Sequence, residues 1–220
     1  MIYILHIDTA STAALACLSR DGQLICSRLN EQQKDHASFI HPAIQEILNE
    51  AAIDISRVDA IAVTEGPGSY TGLRVGLSTA KGLAFALKKP LITIDSLFLA
   101  AHAVQQSYGS VAVWAMIDAR RNEVFTAVYD EDLQPVLPPV AVELSSEILN
   151  TYYKEGLVFT GSGALKGVKF LKEGITAVTF QPEIASSFCI IAYKKYSDKN
   201  FADVAYSEPL YIKEFYSGKS

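Results

Sequence analysis

MIYILHID at 1–8, TASTAALACLS at 9–19 and RDGQLICSRL at 20–29 decide the fold. The first stretch is apolar on both faces apart from His6, so it reads as a buried strand that ends at Asp8. Ala13 to Leu18 reads as a second strand. Asp21-Gly22 supplies hairpin chemistry before a third, Gln23 to Leu29. Beyond Asp35, a candidate N-cap, Phe39, Ile40, Ala43, Ile44, Ile47, Leu48 and Ala51 recur at helical spacing. Pro42 falls inside that pattern and either starts the helix or bends it. Val58 to Thr64 is another short strand, followed by the loop Gly66-Pro67-Gly68-Ser69-Tyr70. Thr71 to Leu87 reads as a helix, Pro90 stops it, and Leu91 to Ile94 is a strand. Three strands in hairpin order followed by helix–strand–helix–strand indicate an α/β unit with a mixed sheet.

The second half opens in the same way. Setting Asp8 on Asp118 without gaps lays the first strand on Val111 to Ile117, Ala14 to Leu18 on Val124 to Val128, and Asp21-Gly22 on Glu131-Asp132. The expectation is a duplicated unit, against the alternative of two generic strand–turn–strand patterns. A helix from Ser145, a strand Leu157 to Thr160, the loop Gly161-Ser162-Gly163, a strand Thr176 to Phe180 and a helix Glu183 to Lys195 complete the reading. No low-complexity linker divides the halves. The region Ala103 to Ser110 is the expected boundary, giving lobes 1–104 and 105–220.

The composition is that of a globular protein: half of the 220 residues are hydrophobic and 20% are charged. No apolar run approaches the roughly 18 residues of a membrane span. The start lacks a basic region and reaches Asp8 too early for a signal peptide, so the expected location is the cytoplasm. Cys17, Cys26 and Cys189 are scattered, and buried thiols are expected rather than a zinc or disulfide framework. A net charge of −5 is the opposite of the basic footprint that grips nucleic acid. The cluster Lys166, Lys169 and Lys172 is the best counter-candidate and reads as a solvated helix face.

Five segments, taken in order, carry a family resemblance. They are Ile7-Asp8-Thr9-Ala10-Ser11; the run TEGPGSYTGLRVG from Thr64 to Gly76; Ala80-Lys81-Gly82-Leu83-Ala84; IDARRNEV from Ile117 to Val124; and Glu208-Pro209-Leu210-Tyr211-Ile212. In these the chain resembles the TsaB family, formerly labelled YeaZ or glycoprotease-like, across essentially its whole length. The resemblance implies an actin-like fold of two related α/β lobes, with mixed sheets flanked by helices. It also implies a non-catalytic subunit in the making of threonylcarbamoyladenosine in tRNA. The implied partners are a TsaD-like catalytic subunit and a TsaE-like ATPase, with tRNA engaged only through the complex. ATP would be used by the complex, no cofactor would belong to this chain, and the isolated chain would be either a homodimer or a monomer. Where TsaD-like chains carry a metal-binding His-x-x-x-His, the ligand positions here fall on Ser96 and Ala100, and neither replaces an imidazole.

The remaining residues offer little chemistry of their own. His36 and His41 are five apart and point away from each other on a helix, and His6 sits in a buried strand, so no metal is expected from spacing. There is no complete phosphate-binding glycine motif. Gly161 and Gly163 could face an anion or simply make a tight strand–helix turn. Asp8 and Asp118 are either the acidic pair of a vestigial nucleotide cleft or strand-end caps. The rival functions are an actin-like kinase, which would need glycine in the Asp8–Ala13 turn, and a peptidase, for which Ser69 would need a histidine partner. Family resemblance places partner docking on two helices, His36–Ala52 and Thr71–Leu87. The docking residues expected there are Phe39, Ile40, Ile44 and Leu73, with the small-residue stripe Gly72, Gly76, Ala80 and Ala84. On that reading Gly76→Leu would leave a folded protein that no longer binds its partner.

Overall fold

The computed structural model describes residues 1–31, 35–172 and 177–212. β1 (Tyr3–Asp8), β2 (Ala14–Arg20) and β3 (Gln23–Asn30) form an antiparallel meander. α1 (His36–Glu50) leads to β4 (Ala60–Gly66), which returns parallel to β1. α2 (Tyr70–Leu87) crosses to β5 (Leu91–Asp95), parallel to β4. The sheet order is β3-β2-β1-β4-β5.

After α3 (Ser96–Tyr108) the plan repeats. β6 (Val113–Asp118), β7 (Glu123–Tyr129) and β8 (Pro135–Glu143) form a second meander. α4 (Ser146–Tyr152), β9 (Val158–Thr160), α5 (Ala164–Val168), β10 (Val178–Thr179) and α6 (Ala185–Ser197) follow. The order β10-β9-β6-β7-β8 is that of the first sheet, element for element. The shift that sets Asp8 on Asp118 also sets Tyr3–Asp8 on Val113–Asp118, and the matching strand order agrees with the duplication read from the sequence.

Both sheets are apolar on both faces, and that explains the continuous hydrophobic runs in their inner strands. One face of the first sheet, including Leu5, Ile7, Ile61 and Val63, packs on Ile40, Ile44 and Ile47 of α1 and on Leu77, Ala80 and Ala84 of α2. Its other face, including Ile4, Cys17, Ala62 and Ile92, is covered by Phe188, Cys189 and Ala192 of α6 and by Leu99 of α3. In the second sheet, Trp114, Met116 and Phe159 pack with Leu149 of α4 and Ala164 of α5. Val113, Ala115 and Ala127 are covered by Leu97, Ala101 and Val104 of α3. The halves therefore exchange helices: α3 follows the first sheet and covers the second, while α6 follows the second and covers the first.

Several local expectations change. Position 104 lies inside α3, so no linker separates 1–104 from 105–220; α3 is shared because each sheet needs a helix on its inner face. α3 itself is apolar nearly all round, which hides its period. β8 is an additional strand that the sequence reading does not include; it carries Pro135, Pro138 and Pro139, which an edge strand tolerates. Asp35 stands at the start of α1 without capping it, and its carboxylate instead accepts from the Ser38 hydroxyl. α1 runs through Pro42, an exposed position where the forfeited helical hydrogen bond faces water. Thr176, the expected start of the last strand, lies outside the described residues. Among the described residues no helix is long and apolar enough to cross a membrane.

Phe188 is fully buried against the first sheet although it belongs to the last helix. Phe188→Ala should cost about 3–5 kcal/mol, the usual range for emptying such a site. Urea unfolding followed by circular dichroism measures it, and a loss under about 1 kcal/mol would mean that α6 does not hold the first sheet.

Candidate functional site

The turn between β1 and β2 is where an actin-like fold would hold a phosphate. Here it is seated on the start of α2. The Ser69 amide donates to the Ala10 carbonyl at 2.7 Å, and the Thr9 hydroxyl donates to the Gly72 carbonyl at 2.6 Å. A Cβ on Gly72 would overlap the Thr9 carbonyl oxygen, and one on Gly76 would overlap Thr9 Oγ1. Two glycines one helical turn apart thus let a backbone turn lie directly against a helix. Ser69 caps α2, its hydroxyl accepting from the Gly72 amide at 3.3 Å.

This corrects the reading of the small-residue stripe. Gly72, Leu73, Gly76, Ala80 and Ala84 are all buried, and the stripe faces the chain's own turn and sheet. Ile40 and Ile44 are buried in the same core, and Phe39 is half-buried beside it. The physical reason is that a helix crossing a two-sided sheet must bury its smallest face where the backbones come closest. Gly76→Leu would therefore disrupt the fold rather than spare it.

Asp8 is buried, and its Oδ1 accepts from the Thr64 hydroxyl at 2.6 Å and the Ala10 amide at 2.9 Å. Burial pushes its carboxyl above the usual range, and these two hydrogen bonds oppose the rise. Nearby, His36 Nε2 lies 3.1 Å from the Ser11 carbonyl. Asp118, the equivalent residue, is exposed: its Oδ1 accepts from the Arg120 amide at 2.8 Å and pairs with Lys166 Nζ at 2.6 Å. Partial burial would raise the Asp118 carboxyl, but Lys166 and the Arg120 amide outweigh it and hold it below the usual range. Both aspartates close the turns that follow them. Lys166 is thus tied to an acid, whereas Lys169 and Lys172 are exposed to solvent.

Gly161 adopts φ +89°, and a Cβ there would overlap the Met116 carbonyl; Gly163 sits under Val124 and Met116. Their amides serve the chain itself, Gly163 N donating to Met116 O at 2.9 Å. The tight-turn reading fits them. Ser96 and Ala100 fall in the first turns of α3. A hydroxyl and a methyl do not fit the imidazole pair of a catalytic metal.

The open surface lies on the other side of α2. Tyr70, Arg74, Ser78, Gly82 and Phe85 face outward, and Phe85 is 79% exposed. Arg74 lies 4.0 Å over the Tyr70 ring, and its Nε donates to Tyr211 Oη at 2.9 Å. The tail is fastened beside them: Leu210 N donates to Glu65 O at 2.7 Å, and Lys81 Nζ reaches Ser207 O at 2.8 Å. Sequence reasoning missed this patch, although Tyr70, Arg74 and Tyr211 all stand in the quoted motifs. Aromatic and arginine side chains clustered on a surface are the usual anchors of a protein interface.

Residues 24–211 match the family model described as TsaD, tRNA N6-adenosine threonylcarbamoyltransferase. A protein of Haemophilus influenzae named tRNA threonylcarbamoyladenosine biosynthesis protein TsaB is 29% identical, over 96% of this chain and 93% of that one. The Escherichia coli protein of the same name is 36% identical over 129 residues, 59% of this chain and 55% of its own length. YeaZ from Pseudomonas aeruginosa shares the fold, with a TM-score of 0.82 at 24% identity over 96% of this chain and all of that one.

Two alanine substitutions separate the inward from the outward face of α2. Gly72→Ala should destabilise by roughly 1–3 kcal/mol, because a backbone carbonyl must move. Gly82→Ala meets no neighbouring atom within 4 Å and should stabilise by up to about 1 kcal/mol through helix propensity. Thermal melts of the two variants, expected to shift in opposite directions, are the check.

Proposed function

The chain belongs to the TsaB group of the TsaD-type family of tRNA threonylcarbamoyladenosine proteins, and from that premise we propose that it is a non-catalytic subunit of the threonylcarbamoyl transfer machinery. In this reading it binds a TsaD-like catalytic subunit, joined by a TsaE-like ATPase, in the cytoplasm. The carrying observation is the pair Ser96 and Ala100, which stand on α3 where the resemblance puts the catalytic relative's metal ligands. A turn seated on α2 instead of held open for phosphates supports the same reading. The net charge of −5 opposes direct binding to the tRNA backbone, so the RNA is held by another subunit. ATP is consumed by the complex rather than by this chain.

Docking takes place through the outward face of α2 and its neighbour α1. Phe85, Arg74 and Tyr70 supply the aromatic and cationic anchors, and the same face carries a homodimer when the partner is absent. A kinase reading requires ATP turnover by the purified chain alone. A peptidase reading requires Ser69 as nucleophile, but its hydroxyl is engaged as the cap of α2.

Phe85→Asp places a charge on the patch while touching none of the core. Its melting temperature should stay near that of the wild type, because surface changes are usually within about 0.5 kcal/mol. Affinity for the TsaD-like protein should fall about tenfold or more, the effect of losing an anchor of roughly 1.4 kcal/mol. Differential scanning calorimetry gives the first value, and titration calorimetry with the host's catalytic subunit gives the second. Unchanged affinity in a folded variant removes this face as the docking site, and rapid ATP hydrolysis by the chain alone would favour the kinase.

A further inference from the structure

We infer that His6, Cys17 and Cys189 form a buried binding site for one thiophilic divalent metal ion, with Zn2+ as its probe. His6 on β1 lies directly opposite Cys17 on β2 in the antiparallel ladder. Cross-strand partners point to the same face, with Cβ atoms about 4.5–5.5 Å apart. α6 covers that face and brings Cys189 onto it. One imidazole nitrogen and the two sulfurs all lie within 4.8 Å of one another. All three residues have no exposed surface.

The imidazole is only half satisfied. Its Nε2 lies 2.8 Å from Ser19 Oγ, whereas Nδ1 is buried with no hydrogen-bond partner. A buried ring nitrogen without a partner is rare in a folded core. With Nε2–H donating to Ser19, the other nitrogen carries a free lone pair. A hydroxyl that orients the ring in this way is the kind of support that metal-binding histidines receive. The Phe188 ring packs T-shaped against the imidazole, its centroid 4.9 Å from that of His6.

The chemistry balances. Two cysteines give up two protons to solvent, and two thiolates with one neutral imidazole bind a divalent ion in a complex of zero net charge. Neutrality is what an apolar layer demands of a buried ion. Sulfur and imidazole are the donors zinc prefers, at about 2.3 and 2.0–2.1 Å. Ligand atoms around such an ion sit roughly 3.5–4 Å apart, so the cluster needs only a small contraction. Because the site is closed, the ion enters during folding or when α6 lifts. Once bound, it joins β1 and β2 to the helix supplied by the other half. This revises the expectation drawn from spacing, which could not see ligands at positions 6, 17 and 189 as neighbours.

The test uses the full chain, reduced and refolded with Zn2+ or Co2+. About one Zn2+ per chain should remain after desalting, and the Co2+ form should show thiolate charge-transfer absorption. Zn2+ should raise the melting temperature, and a chelator should reverse the rise. Cys26→Ser should behave as the wild type, whereas Cys17→Ser and Cys189→Ser should bind at least 100-fold more weakly. Should either variant fail to fold, X-ray absorption on the zinc-loaded wild type should show two sulfurs and one nitrogen. Negligible zinc after refolding, affinity unchanged in both serine variants, or a coordination shell without sulfur each overturns the site.

Discussion

A mixed sheet with apolar residues on both faces needs helices on both faces, and this protein supplies the second layer by exchange. Each half builds five strands and two outer helices from its own sequence, then borrows its inner helix from the other half. α3 is claimed by Val113, Ala115 and Ala127 of the second sheet, and α6 by Ile4, Cys17 and Ile92 of the first. Neither sheet can be covered until both halves exist. That constraint explains why no flexible linker is found near residue 104, and why Phe188, far along the chain, belongs to the core of the first strands.

The same economy of layers shapes the region where an actin-like fold would handle a nucleotide. Gly72 and Gly76 remove side chains from one face of α2, and the Thr9–Ala10 backbone occupies the space that they vacate. Asp8 is held by Thr64 and the Ala10 amide, and Asp118 by Lys166 and the Arg120 amide. The acids close their own turns. The outer side of α2 is open to other molecules: Arg74 joins Tyr70 to Tyr211 there, and Phe85 stands in solvent. The turn that an actin-like fold would open to a ligand is filled here, and the exposed face of α2 is aromatic and cationic.

Local pattern and tertiary contact divide the information about this chain. Strand alternation, the Asp21-Gly22 turn, the helical spacing from Phe39 to Ala51 and the repeat of Asp8 at Asp118 are short-range signals. They were enough to place the first meander, the opening hairpin of the second and the two-lobed α/β architecture. α3 escaped because a helix buried on several sides has no polar face to mark its period. β8, which the sequence reading does not include, carries prolines that would break an inner strand and are harmless at an edge.

The sequence by itself determined the fold, the family and the absence of an imidazole pair at Ser96 and Ala100, because each is written in residues close together along the chain. Only the tertiary structure decided which way the glycine stripe faces. A helix with small residues on one side is equally suited to its own sheet or to another molecule, and nothing in its periodicity distinguishes the two. Only the tertiary structure, likewise, brought His6, Cys17 and Cys189 within reach of one another. Strand pairing and the return of α6 set that distance, and neither is a property of any short segment.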